Sequence, residues 1–172
     1  MLSVRHHGVS PVFSNSAMKG RITFNLLTTI LAVAVALFSP SAFASCEHGS
    51  KTVFSCFTAK GKHIEVCDDG KVIEYSYGKS SMKPEIVVKI PRDHASTSQW
   101  AGIGRYMSYA VDIPNGNTTY SVFWGVDRLT DKHLIEAGVH IAVNKRLAAT
   151  VKCAGEKNIL QHIEGIDLKP TE

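Results

Sequence analysis

The residues best equipped for chemistry stand in two stretches, 91–104 and 127–138. The first holds Arg92, Asp93, His94, Ser96, Thr97, Ser98 and Trp100, and the second holds Asp127, Arg128, Asp131, Lys132 and His133. An imidazole beside a carboxylate, as in Asp93-His94, can serve as a general base. Arg92, Arg105 and Arg128 can clamp a carboxylate or another anion, because a guanidinium offers two parallel donors. Trp100 can anchor a protein partner as a large, rigid ring. The candidate binding residues are therefore Arg92, Asp93, His94, Trp100, Arg105, Asp127, Arg128 and His133. Each also has an ordinary use: surface histidine, loop charge, or an aromatic cap over a core.

Motifs for catalysis are missing. Ser80-Ser-Met-Lys83 matches S-x-x-K in letters, but that motif opens a helix and Pro84 follows at once. Gly102-Ile-Gly104 precedes a strand instead of linking a strand to a helix, so it is not a dinucleotide loop. His63, His133 and His140 share no metal-ligand spacing. No catalytic residue, metal or cofactor is expected.

The elements that must position these residues read as strands. From Lys51 the apolar pattern has period two. Eight runs emerge: Thr52–Phe57, His63–Asp68, Lys71–Tyr77, Glu85–Ile90, Arg105–Ile113, Thr118–Val126, Val139–Val143 and Leu147–Cys153. Thr130–Ala137 is the one stretch expected to be helical, capped by Thr130. Asp69-Gly70 and Asn115-Gly116 are hairpin signals. They place Val66 opposite Ile73, Ile64 opposite Tyr75, Val111 opposite Tyr120, Tyr109 opposite Val122 and Met107 opposite Trp124. Loops at Lys60–Lys62 and Asn144–Arg146 place Cys56 opposite Val66, Val143 opposite Leu147, Ile141 opposite Ala149 and Val139 opposite Val151. The fold class is all-β: a small eight-stranded antiparallel barrel or a two-sheet sandwich, with a short C-terminal tail packed outside it. In a meander, loops alternate between ends, which brings Pro91–Gly104 and Asp127–Gly138 to the same end.

Location is written in the first 44 residues. Their three cations (Arg5, Lys19, Arg21) face no acid, whereas the chain as a whole carries +4. The remaining 128 residues hold sixteen cations and fifteen acids, so no nucleic-acid surface is expected. Met18-Lys-Gly-Arg21, the apolar run Leu26–Phe38 and Ala42-Phe43-Ala44 have the layout of a cleaved secretory signal with its start at Met18. The run is too short to span a bilayer, so no transmembrane span remains after cleavage. Residues 45–172 form one domain, periplasmic or secreted. Phe43-Ala44-Ser45-Cys46 also resembles a lipoprotein processing site, the alternative anchor. Export permits disulfides. Cys56 and Cys153 fall inward on the first and last strands, which suggests Cys56–Cys153 and leaves Cys46–Cys67.

Phe54-Ser-Cys56, Gly102-Ile-Gly-Arg-Tyr106, Phe123-Trp124 and the strand ending at Cys153 resemble the periplasmic and lipid-anchored inhibitors of C-type lysozyme. That resemblance implies a small antiparallel barrel and a non-catalytic role. The family's serine before the Gly-x-x-Tyr segment and its lysine after the tryptophan are absent here, where Gly125-Val126 follow Trp124. The expected function is a non-enzymatic exported binding protein with a protein partner, an inhibitor or immunity-type protein acting on a cell-envelope enzyme. The alternatives are a small-ligand or metal carrier and a small hydrolase built on His94.

Overall fold

A computed structural model describes Cys46 and residues 49–172. The signal-like segment and the Met18 start lie outside the described residues. Eleven strands follow in order: β1 (Lys51–Phe57), β2 (Lys62–Asp68), β3 (Val72–Lys79), β4 (Ile86–Pro91), β5 (Ser96–Ser98), β6 (Tyr106–Asn115), β7 (Thr118–Asp127), β8 (Ile135–Val143), β9 (Arg146–Lys152), β10 (Leu160–Gln161) and β11 (Lys169–Pro170). They form two sheets, ordered β10-β1-β2-β3-β4 and β11-β5-β6-β7-β8-β9. The sheets do not merge into a closed barrel. One bridge, Thr58 with Cys153, links the end of β1 to the end of β9.

Period-two patterning decides which face is inside. Phe54, Cys56, Ile64, Val66, Ile73, Tyr75 and Val88 of the first sheet pack with Tyr109, Val111, Ile113, Val122, Ala137 and Val139 of the second. Tyr75 stacks on Tyr120 across the interior at 4.8 Å between ring centroids. Burial pushes the Tyr75 phenol far above its ordinary range. Both expected disulfides form, Cys56–Cys153 and Cys46–Cys67. The first spans 97 residues and contributes about 5 kcal/mol in a chain-entropy account.

The hairpin registers differ from expectation by two residues. Val66 faces Tyr75 and Ile64 faces Tyr77. Tyr109 faces Trp124, Val111 faces Val122 and Met107 faces Val126. Cys56 faces Ile64 instead of Val66. The cause is the corner residue. Gly70 (φ 87°) and Gly116 (φ 63°) open their turns as the first corner residue, so the turns are Gly70-Lys71 and Gly116-Asn117. This matches turns in which only the first corner has positive φ. An even displacement leaves every side chain on its expected face. In the β8–β9 hairpin, Val139–Val151 and Ile141–Ala149 pair as expected. A bulge after Ile141 then sets Val143 opposite Arg146, not Leu147.

Two further expectations are corrected. Thr130–Ala137 is not helical: β8 begins at Ile135, pairing Ile135 with Val126 and Ala137 with Trp124. Eight residues give a helix little beyond its nucleation cost, and continued sheet pairing wins. The tail is not merely laid outside. β10 pairs with β1, β11 pairs in parallel with β5, and Ile163 between them is completely buried. Residues 159–170 strap one edge of each sheet, at β1 and at β5.

Candidate functional site

The β5–β6 and β7–β8 connections do come together. Arg105 donates from Nε to both Asp127 oxygens at 2.9 and 2.8 Å, with Nη2 2.6 Å from Oδ2. The Arg128 N–H donates to the Arg105 carbonyl at 3.0 Å. The Arg128 guanidinium lies 4.4 Å over the Trp100 ring. Trp100 in turn donates from Nε1 to the Ile103 carbonyl at 3.0 Å. His133 has positive φ (41°), with Nδ1 3.3 Å from the Asp127 carbonyl. Trp100, Arg105, Asp127, Arg128 and His133 thus form one cluster.

Its electrostatics are those of a positioned, solvated ion pair. The Arg105 guanidinium holds the Asp127 carboxyl below its usual range, and Asp127 raises Arg105 in return. Exposed pairs of this kind add little stability. Their effect here is geometric: the carboxylate also accepts the Leu129 N–H at 3.0 Å, so one group fixes both loops.

Arg92, Asp93 and His94 lie elsewhere. β5 runs antiparallel to β6, with Ser96 opposite Asp112 and Ser98 opposite Ala110. It therefore carries the chain from the β6–β7 turn end to the Tyr106 end, and separates His94 from Trp100. Arg92 donates from Nε to Asp68 at 3.0 Å beside the β2–β3 turn. Asp93 and His94 are exposed, and His94 borders a groove with Asp112 and Lys169. The single-site expectation for all eight residues is corrected on this point. The three-residue strand inside the loop carries no readable periodicity.

The sequence reading passed over the apolar side chains on the same two loops. Ile103 is 84%, Leu129 74% and Leu134 57% exposed. Leu134 is tied in by its carbonyl, which accepts from the Asp127 N–H at 3.3 Å. The signal was available: three large aliphatics among turn residues, outside any alternating run.

Two other groupings were not foreseen. Ser55 Oγ and His63 Nε2 lie 2.7 Å apart on the outer face of the first sheet. Ligand atoms of Cys46, Glu65 and Cys67 lie within 4.8 Å of one another. Both sulfurs are joined in the disulfide, so that group offers one carboxylate and no thiolate to a metal. No family model, no characterised protein and no solved structure matches this chain.

Proposed function

We propose that the chain is an exported, non-catalytic binding protein whose β5–β6 and β7–β8 loops dock onto a protein, a cell-envelope enzyme that it inhibits or neutralises. The observation that carries this reading is the exposure of three large aliphatics, Ile103, Leu129 and Leu134, on the two loops pinned by the Arg105–Asp127 pair. Large aliphatics held in water on a preorganised frame, with Trp100 and charged groups on the same loops, suit a protein interface. The Tyr75- and Phe54-filled interior favours surface recognition over an internal carrier site. The two disulfides and the signal-like start support an oxidising, extracytoplasmic location.

The test uses a panel of purified cell-wall muramidases, scored for complex formation by size-exclusion chromatography and for inhibition of cell-wall lysis. At least one enzyme should form a complex that the Ile103→Asp/Leu129→Asp variant weakens by more than about tenfold. A variant that binds as well as the wild type removes the reading, as does a panel with no complex.

A further inference from the structure

The outer face of the second sheet holds a groove of about 400 Å³, apart from the loop tips. Its lining includes Tyr106, Phe123 and His140. Phe123 and His140 stack nearly parallel, 4.1 Å apart at 7°. Tyr106 lies across Gly125, where a Cβ would come within 2.6 Å of the phenol ring, so glycine is what lets the ring lie against the sheet. Around these rings stand hydrogen-bonding groups from two strands. Glu136 Oε1 pairs with Lys152 Nζ at 2.7 Å. His140 Nδ1 is 2.9 Å from Thr150 Oγ1, which leaves Nε2 as the ring nitrogen available to a ligand.

The charges in the groove cancel. Glu136 and Lys152 neutralise each other, and burial, with the neighbouring Lys152, lowers the His140 pKa and so favours the uncharged ring. Such a lining has no field with which to gather an anion or a cation. What it offers is apolar ring faces bordered by donors and acceptors. The matching ligand is a ring with apolar faces and a polar circumference. The groove's lining runs from Ser98 on β5 to Thr150 and Lys152 on β9, four strand spacings or about 19 Å. That is longer than one six-membered ring and suits a short chain of them.

We infer that this groove binds a neutral oligosaccharide, one pyranose face lying on Tyr106 or the Phe123–His140 stack and its hydroxyls meeting Glu136, Lys152 and Thr150. The site is open and shallow, so binding is weak and selective by geometry.

The test is an amide NMR titration of the folded protein with chitotriose, cellotriose and maltotriose, beside indole and a sulfated trisaccharide. At least one neutral trisaccharide should give saturable shifts centred on Tyr106, Phe123, His140 and Thr150. Tyr106→Ala should weaken that binding about tenfold. Glu136→Ala, an exposed change, should weaken it too and serves if Tyr106→Ala perturbs the spectrum globally. No saturable shift with any neutral sugar overturns the assignment. So does binding that survives both substitutions, or binding confined to indole or the sulfated sugar.

Discussion

The outer faces of the two sheets carry the same trio and put it to different ends. On the first, His63 stacks on Phe57 at 4.7 Å and meets the Ser55 hydroxyl. On the second, His140 stacks on Phe123 and meets the Thr150 hydroxyl. Burial is the leading cause that lowers both histidine pKa values. The difference is what lies on top. Cys46 is bonded to Cys67 on the first face, and its N–H reaches Glu65 at 3.4 Å. Glu65 is then only 8% exposed, and the hollow beside His63 measures about 220 Å³. The second face has no such clamp among the described residues and keeps a groove nearly twice as large. Similar local chemistry thus becomes a fastening point on one side and a recognition surface on the other, depending on one tethered residue.

The most forceful way to break this contrast is to cut the tether. Cys46→Ser/Cys67→Ser opens a link spanning 21 residues and should cost about 3 kcal/mol in chemical denaturation. Backbone amides of β2 near Glu65 should lose hydrogen-exchange protection while those of β7 keep theirs. Equal loss on both sheets would show that the tether serves the whole sandwich. A smaller effect should come from Gly125→Ala, which forces the Tyr106 ring off the second face at a net change within about 1 kcal/mol. Burial, with Glu136 close by, raises the Tyr106 phenol pKa, so a displaced ring should titrate nearer the ordinary tyrosine value. An unchanged spectrophotometric titration would mean the ring never depended on that glycine.

The smallest effect is a slope. Burial raises the Glu65 carboxyl pKa, outweighing the Cys46 N–H that lowers it. The folded protein then binds the proton more tightly than the unfolded chain. The stability this contributes is fully present below the unfolded carboxylate pKa and is lost as pH rises through the folded one. Glu65→Gln should flatten that decline in denaturation midpoints across weakly acid pH. A steeper decline in the variant would reverse the assignment of burial as the cause.

Much of this architecture could be read in the residues because alternation is a local signal. The faces of Ile64, Val66, Tyr109 and Val111 followed from parity alone, even where the corner glycines moved the pairing by two. The cysteine pairing followed from the same faces. Register was less legible because Asp69-Gly70 and Gly70-Lys71 are both acceptable turns to a local reading, and only the folded hairpin chooses between them. Ser96–Ser98, Leu160–Gln161 and Lys169–Pro170 are too short to show a period, so the split of His94 from Trp100 and the edge strap were hidden. At the loops, Arg105, Asp127 and Trp100 announced themselves by residue type. Ile103 and Leu129 were marked only by standing outside any alternating run, and their exposure is decided by what the fold leaves uncovered.

The strap also sets an order of events. Chains are made from the N-terminus onward, and the edges of β1 and β5 find their neighbours only in residues 160–161 and 169–170. Until those residues emerge, two open hydrogen-bonding edges stand ready to pair with any passing strand. Ile163 has meanwhile no interior to enter until both sheets exist. The sandwich can assemble strand by strand, but its β1 and β5 edges are covered only when its final dozen residues close over them.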